Sequence, residues 1–368
     1  MKSKEIERLS YIEGLKGIAA CIIAFFRHYR HFLPDGGLPF YSLVPELYEY
    51  GHLAVELFFM LSGFGIVLGY EHRIVENGID FSTYLKKRVS KIFPIMIAAL
   101  IVLTALMGIN IYKTGNAFYF NDTSTYSVYY FFLHLFGMQY IFSTRMSFNA
   151  PTWFISVILL CYVIYYVVVY MFKGIKNAMV YVYGAFFIFG GVMVSSGISI
   201  PISNIGRGIV CFFAGCIIAK IYEHKDILNT KLIGYLAFGI CIIAFALGKI
   251  YGFERAWGNV QMTVILVFFP MLIISVLFLS WLQKILSLGV LKFLGRLSMC
   301  IYFWHFPMQY LIEDIRVYLG LNINYSSKKM WLLYVVSVLG FAWIYQRFIQ
   351  NRINFKIFLR QETRIRQK

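Results

Sequence analysis

Long apolar runs recur along almost the whole chain, and they constrain its fold more than any other feature of the sequence. A helix needs about 20 mainly apolar residues to cross the hydrocarbon core of a bilayer. Runs of roughly this length cover residues 14–33, 51–70, 92–112, 151–172, 178–196, 205–220, 232–248, 262–283, 297–315 and 330–350. The chain of 368 residues is 60% hydrophobic and only 14% charged, which excludes an ordinary soluble globular protein. The pattern predicts an all-α integral membrane protein.

An eleventh run, 126–142, is aromatic and barely long enough to span, so the distribution of basic residues decides whether it crosses. Cytoplasmic loops collect Lys and Arg. With ten spans and a cytoplasmic N-terminus, 21 basic residues lie inside and 7 outside, whereas a crossing of 126–142 gives 14 on each side. We therefore predict about ten transmembrane helices, a re-entrant or interfacial helix at 126–142 on the outer side, and two cytoplasmic termini.

The apolar runs leave no room for an appended soluble domain. We predict one transmembrane domain over residues 1–368, with a core of about 10–350 and a basic cytoplasmic tail at 351–368. The net charge of +17 is spread over short loops and the C-terminus, which favours anionic lipid headgroups over nucleic acid as the partner. All six cysteines lie inside apolar stretches, and we interpret them as small core residues.

Ionisable side chains inside the predicted spans are functional-site hypotheses by default, because each costs about 2.5–3.5 kcal/mol at a helix centre. His28 and Glu56 each lie five residues from the outer end of their run, and so at a shared depth. A carboxylate bound to one imidazole nitrogen would fix the tautomer and raise the basicity of the other nitrogen. We therefore predict His28 as a general base paired with Glu56. Arg207 and Trp153 lie near the same level.

Basic residues also gather at the predicted inner side, where they suit a phosphate-rich ligand that approaches from the cytoplasm. They are Lys16, Lys86, Lys87, Arg88, Lys91 and Arg296, and we predict Lys16, Arg88, Lys91 and Arg296 as the ligands of acyl-CoA. The same residues fit ordinary positive-inside anchors, while Glu56 and Arg207 fit a structural ion pair and His305 fits a satisfied buried histidine. A transporter with a proton path along Glu56, Arg207 and His305 also stays open, as does a non-catalytic membrane scaffold.

Six short motifs, taken in order, go further. Residues 12–20 read IEGLKGIAA, 55–64 VELFFMLSGF, 84–94 YLKKRVSKIFP, 151–156 PTWFIS, 212–215 FFAG after Arg207, and 294–307 LGRLSMCIYFWHFP. Together they resemble the membrane-bound acyltransferase-3 family, whose members transfer acetyl or related groups to carbohydrates and other acceptors. The resemblance runs from residue 12 to about 350, and it implies a ten-span core.

Two departures from the family pattern bear on mechanism. The family usually places Arg in the first helix and a catalytic His eleven positions later. Here Lys16 takes the arginine position, and His28 follows twelve positions later, rotated by about 120° on an ideal helix. A one-residue π-bulge between them would restore the alignment, so we expect His28 to be catalytic and keep His31 as the fallback. Many members also carry a Glu after the tryptophan motif, where this chain has Ile158.

The resemblance implies a multi-pass enzyme of the bacterial plasma membrane. It would transfer a short acyl group, in the first place acetyl, from cytoplasmic acyl-CoA to a hydroxyl of a cell-surface or lipid-linked glycan. Acetyl-CoA is the expected co-substrate, with no bound cofactor and no metal, and the expected partners are acyl-CoA, the sugar acceptor and membrane lipids. On the acceptor side we expect His31, Ser62, Trp153, Arg207 and His305. The acceptor, the acyl chain length and the oligomeric state stay open.

Overall fold

A computed structural model of the chain describes residues 9–118, 125–143, 145, 147–175, 177–196 and 200–350. Within these ranges the chain forms α-helices joined by short connections, and no strand. The predicted basic tail at 351–368 lies outside the described residues. The helices are α1 (Ser10–Cys21), α2 (Pro45–Glu49), α3 (Ala54–Val75), α4 (Phe81–Thr114), α5 (Val128–Leu135), α6 (Trp153–Phe172), α7 (Ala178–Ser195), α8 (Ile200–Glu223), α9 (Thr230–Tyr251), α10 (Phe253–Trp257), α11 (Val260–Thr263), α12 (Phe269–Phe278), α13 (Ser280–Leu286), α14 (Gly289–Leu319) and α15 (Lys328–Tyr345).

The lengths of these helices confirm the predicted fold class, an all-α multi-pass membrane protein. In the described ranges eight helical segments are long and apolar enough to cross a membrane. A ninth is present if α13 and α14, which meet at an angle of 67°, form one broken span. The first predicted span is divided among three helix types, described below, and is not among these nine. The number ten therefore stays a prediction, as does the location of the termini.

The eleventh apolar run contains only the short helix α5. Its eight residues rise about 12 Å, whereas the hydrocarbon core is about 30 Å thick. Val128 and Phe136 expose 73% and 59% of their surface. His134 is buried, and its Nε2 lies 3.0 Å from the hydroxyl oxygen of Ser147. Burial lowers the pKa of His134 to about 3, although the hydrogen bond to Ser147 opposes the shift. These features agree with a helix that does not cross the bilayer.

Contacts divide the chain into two compact units, and each is described by itself. The first unit comprises Met1–Ala19, Leu53–Asp80 and Val157–Arg296. The second comprises Ala20–His52, Phe81–Ser156 and Leu297–Lys368. This division does not test the prediction of one domain over 1–368, because units that are interleaved along the chain also occur within single domains.

In the first unit, α8 packs closely against α3 through glycines of two of the sequence motifs. A Cβ atom added to Gly63 would lie 1.9 Å from the Phe212 carbonyl oxygen, and one added to Gly215 would lie 1.9 Å from that of Met60. Only glycine allows two helix backbones to approach so closely, as in membrane helix pairs with small residues at the interface. The motif glycines of α3 and α8 are therefore packing residues.

A second close contact in the first unit joins the opening and closing motifs. A Cβ atom on Gly14 would lie 2.0 Å from the Leu286 carbonyl oxygen, and one on Gly17 would lie 2.6 Å from the Gly295 nitrogen. In return, a Cβ atom on Gly295 would lie 2.1 Å from the Glu13 carbonyl oxygen. The start of α1 and the start of α14 are thus in backbone contact.

The core of the second unit lies between α4 and α14. Leu103 and Met107 of α4 pack with Phe148, Phe306 and Tyr310, all of them buried. This apolar cluster adjoins the polar side chains of α14 that form the candidate site, because His305 and Gln309 are the chain neighbours of Phe306 and Tyr310.

Candidate active site

The first predicted span changes its helix type immediately before His28. The α-helix Ser10–Cys21 continues as a π-helix over Ile22–Arg27 and then as a 3₁₀-helix over His28–Phe32. The backbone N–H of His28 bonds to the carbonyl of Ile23, five residues earlier. The predicted π-type irregularity between Lys16 and His28 is confirmed, and it extends over six residues. Such segments are frequent at functional sites.

Side chains of α15 bind backbone carbonyls of this π-helix. The indole Nε1 of Trp331 donates to the Phe25 carbonyl at 2.7 Å, and the hydroxyl of Tyr334 donates to the Ala24 carbonyl at 3.1 Å. A polar backbone group in lipid needs an internal partner, because no water is present to bind it. The two side chains therefore stabilise the segment that leads into His28.

His28 is the first member of a hydrogen-bonded chain with a fixed direction. Nδ1 of His305 lies 2.7 Å from the Tyr302 carbonyl oxygen, which can only accept, so this nitrogen carries the proton. In the neutral ring, Nε2 of His305 is then an acceptor, and Nδ1 of His28, 2.7 Å away, is its donor. The remaining nitrogen of His28, Nε2, keeps its lone pair. This arrangement is what a general base or a nucleophile requires.

A second chain of the same kind orients His31. The amide nitrogen of Gln309 donates to the His28 carbonyl at 2.8 Å, so its oxygen Oε1 faces Nδ1 of His31, at 3.4 Å. Nδ1 of His31 is therefore a donor as well, and its Nε2 is the acceptor nitrogen of the neutral ring. The rings of His28 and His31 are stacked, with centroids 5.2 Å apart and planes at 15°. We call His28, His31, His305 and Gln309 the imidazole cluster.

Burial differs within the imidazole cluster. His305 and Gln309 are fully buried in the second unit, whereas His28 and His31 are partly exposed. The sequence-based alternative for His305, a buried histidine with its hydrogen bonds satisfied, agrees with the structure, because the residue is fully buried and each ring nitrogen has a hydrogen-bond partner. Because both of its nitrogens are in hydrogen bonds, His305 acts on its neighbours and does not itself offer a nitrogen to a ligand.

In the first unit Glu56 is fully buried, and it binds Arg207. Nε of Arg207 donates to Oε1 of Glu56 at 2.8 Å, and its Nη1 donates to Oδ1 of Asn204 at 2.7 Å. The Glu56–Arg207 ion pair weighed from the sequence is thus confirmed, and we call these three residues the ion-pair cluster. The predicted pairing of His28 with Glu56 joins residues of different units and stays a prediction, while Nδ1 of His28 has His305 as its partner.

The predicted acyl-CoA ligands fall into both units. In the first unit, Lys16 and Arg296 are the chain neighbours of Gly17 and Gly295, whose backbones are in contact, so two cations flank that contact. In the second unit, Arg88 and Lys91 lie on α4, the former partly buried and the latter exposed. Phosphate binding by these residues stays a prediction.

The other predicted acceptor residues occupy different elements. Trp153 begins α6, and its ring lies 5.5 Å from that of Tyr140. Ser62 lies on α3 next to Gly63. A cavity of about 290 Å³ lies beside α4 and α5, where its lining includes Met107, Ile111 and Phe131. This mainly apolar lining suits a hydrocarbon segment better than a sugar.

Comparison with known proteins decides the family. The sequence profile of a family described as an acyltransferase domain matches residues 9–347. The chain belongs to the acyltransferase-3 family. The chain is also 32% identical over 105 residues to "Protein 2 in picA locus" of Rhizobium radiobacter, a match that covers 28% of this chain and 49% of that relative. It thus spans about half the length of the curated relative. No solved structure matches it.

Several residues of the candidate site were not found from the sequence. Gln309 follows His305 by four positions, a spacing that places both on one face of a helix, so this residue could have been found. Trp331 and Tyr334 act on backbone carbonyls that become available only where the helix type changes. Tyr302 acts through its backbone carbonyl. Because every residue has such a carbonyl, the sequence gives no sign of this role.

Proposed function

We propose that this acyltransferase moves a short acyl group, in the first place acetyl, from a cytoplasmic acyl-CoA to a hydroxyl of a cell-surface or lipid-linked glycan. We place it in the bacterial plasma membrane. The observation that carries the proposal is the hydrogen-bonded chain from the Tyr302 carbonyl through His305 to His28. It leaves a lone pair on Nε2 of a partly exposed imidazole.

In the proposed reaction His28 is the general base. Nε2 takes the proton of the acceptor hydroxyl as the oxygen attacks the thioester carbonyl. The carbon–sulfur bond then breaks, and the thiolate of CoA leaves with the proton that the imidazolium returns. The products are the O-acyl ester and free CoA. Throughout, Nε2 of His305 accepts a hydrogen bond from Nδ1 of His28 and so stabilises the imidazolium that forms.

The donor's phosphates need cations, and we assign them to the residues of the predicted inner side. Lys16 and Arg296 are supported by their positions beside the Gly17–Gly295 contact. Arg88 is supported by its partly buried position on α4, because the planar guanidinium binds phosphate oxygens in pairs. Lys91 would add a more exposed charge. The acceptor sugar would bind from the outer side at the imidazole cluster, because the cavity beside α5 offers few polar groups.

The test uses membranes from cells that express the wild type or the variant His28→Gln, supplied with acetyl-labelled acetyl-CoA. Free CoA and the label in extracted glycans are measured together. We expect the substitution to reduce label transfer by about 100- to 10,000-fold, because glutamine cannot take up the proton.

The matched control is His72→Gln. His72 is an exposed histidine on α3, in an i, i+4 pair with Glu76. Its substitution should leave transfer unchanged. Full transfer by His28→Gln, at an expression level equal to that of the wild type, would exclude His28 as the base. Absence of transfer by the wild type with acetyl-, propionyl- and succinyl-CoA would exclude the proposed activity.

A further inference from the structure

We infer that Glu313 is a positioning residue, which acts through Tyr325 to fix the 3₁₀-helix that carries His28. The inference rests on the proposed function, because it concerns the orientation of the proposed general base. Neither the sequence motifs nor the proposed reaction assigns a role to Glu313, although it is a buried carboxylate within the predicted span 297–315. The residues of this network all belong to the second unit.

The carboxylate of Glu313, which is only 2% exposed, has a donor on each oxygen. Nε of Arg316, one turn further along α14, donates to Oε1 at 2.6 Å, and the hydroxyl of Tyr325 donates to Oε2 at 2.7 Å. A charged side chain at membrane depth needs such partners. Because Arg316 supplies the opposite charge, the hydrogen bond from Tyr325 is a separate link, and it joins α14 to the connection between α14 and α15.

Tyr325 carries this link to the 3₁₀-helix His28–Phe32. Its backbone carbonyl accepts a hydrogen bond from the hydroxyl of Tyr29 at 2.9 Å, and its ring stacks on that of Phe32, with centroids 4.4 Å apart and planes at 10°. All three side chains are buried. Tyr29 directly follows His28, and Phe32 is the last residue of the 3₁₀-helix. The position of Tyr325 therefore sets the position of this helix near its start and at its end.

One face of α14 thus holds the 3₁₀-helix along its length. His305, Gln309 and Glu313 follow one another at intervals of four residues, a spacing that places them on the same face. His305 and Gln309 bind His28 directly, and Glu313 binds the far end of the segment through Tyr325. A 3₁₀-helix has poorer internal hydrogen-bond geometry than an α-helix, so these external contacts determine where its side chains lie.

A small displacement of the 3₁₀-helix is enough to reduce the rate. The hydrogen bond between His28 and His305 weakens steeply when its atoms move out of line, and a misplacement of about 1 Å can cost about 100-fold in rate. Loss of one contact among several should cost less than this, about tenfold in kcat. KM for acetyl-CoA should not change, because a substitution at Glu313 or Tyr325 leaves the four cations assigned to the donor's phosphates in place.

The experiment measures kcat and KM for acetyl-CoA with the full-length protein in membranes, from the label in extracted glycans, and the unfolding temperature of the same variants in detergent. Tyr325→Phe removes only the hydroxyl that binds Glu313 and keeps both the stacked ring and the backbone carbonyl. Glu313→Leu removes the acceptor of that hydroxyl. We expect each variant to lower kcat per folded protein about tenfold while KM stays within about twofold.

Glu313→Gln is the conservative variant, because a hydroxyl can donate to the oxygen of an amide or accept from its nitrogen. It should keep kcat within about threefold of the wild type. The matched control is Tyr318→Phe, which removes a hydroxyl from a tyrosine on α14 that is 51% exposed, and it should change neither kcat nor KM.

A purely structural role for Glu313 predicts a different result, a lower unfolding temperature with an unchanged kcat per folded protein. That result, full kcat in Tyr325→Phe, or equal losses of kcat in Glu313→Gln and Glu313→Leu would each overturn the inference. Acyl transfer by the wild type would still support the proposed function in all three cases. If the wild type transfers no acyl group, both proposals fail.

Discussion

The two polar clusters of this protein differ in charge, because the ion-pair cluster is ionised and the imidazole cluster is neutral. The ion-pair cluster holds a full negative and a full positive charge, with Glu56 completely buried and the Arg207 side chain 11% exposed. The imidazole cluster is neutral in the tautomers that its hydrogen bonds require, and Nε2 of the partly exposed His28 lies outside the hydrogen bonds of the chain. Burying charge in lipid is costly, so Glu56 and Arg207 are stable there only when they pair with each other. The neutral imidazole cluster does not carry this cost, and its His28 is accessible to a ligand.

This difference separates structural from chemical roles. In the ion-pair cluster Arg207 binds both Glu56 and Asn204, and α8, which carries it, packs against α3 through glycine contacts. In the imidazole cluster two backbone carbonyls, of Tyr302 and His28, anchor the two hydrogen-bonded chains, and His28 is partly exposed. We therefore expect substitutions in the first cluster to reduce stability and those in the second to reduce activity.

The largest effect is expected for Glu56→Gln. Removal of the carboxylate breaks the buried ion pair with Arg207, which typically costs about 3–5 kcal/mol of folding free energy. Unfolding of the purified protein in detergent, followed by temperature or denaturant, measures this loss. The control is Glu223→Gln, which removes a more exposed carboxylate that pairs with Lys220.

The double variant Glu56→Met with Arg207→Met sharpens this comparison. It removes both charges, so its loss of stability should be smaller than that of Glu56→Gln alone. A Glu56→Gln protein with wild-type stability and no acyl transfer would assign Glu56 to the chemistry, as the sequence-based pairing with His28 proposed.

The next effect is expected for His305→Phe, which removes the acceptor of the His28 Nδ1 proton. Without it the imidazole of His28 is free to adopt the wrong tautomer, and we expect kcat to fall by about 100-fold, within the usual range of general-base contributions. KM for acetyl-CoA should not change, because His305 is fully buried and offers no nitrogen to the donor.

Rescue by His305→Gln distinguishes positioning from packing. The amide oxygen of glutamine can accept the proton of Nδ1, so this variant should recover part of the activity that His305→Phe loses. Equal losses in both variants, with equal stability, would mean that His305 does not act through the tautomer of His28.

Much of this arrangement could be predicted from the sequence, and the failures have physical causes. The apolar runs identified the membrane-spanning class because length and hydropathy alone set it. The irregular segment before His28 followed from the resemblance, because His28 lies one position beyond the family's usual spacing from the first-helix cation. Depth along a span gives the distance of a residue from the membrane surface but not the helix that it faces. His305, the hydrogen-bond partner of His28, could therefore not be identified from depth. The sequence-based partner, Glu56, was chosen for its depth alone; it binds Arg207, and its pairing with His28 stays a prediction.

The smallest effect concerns the neutral hydrogen bonds that hold the π-helix. Trp331→Phe removes the N–H that binds the Phe25 carbonyl at 2.7 Å, and a buried carbonyl left without a partner costs about 1–3 kcal/mol. Because this segment leads directly into His28, we expect the rate of transfer to fall severalfold together with the modest loss of stability. Trp343→Phe, on the same helix α15 but 46% exposed, is the matched control and should change neither quantity. If Trp331→Phe reduced stability by this amount while transfer stayed at the control's level, the indole would hold the helix in place without orienting His28. The imidazole cluster would then depend on its own hydrogen bonds alone.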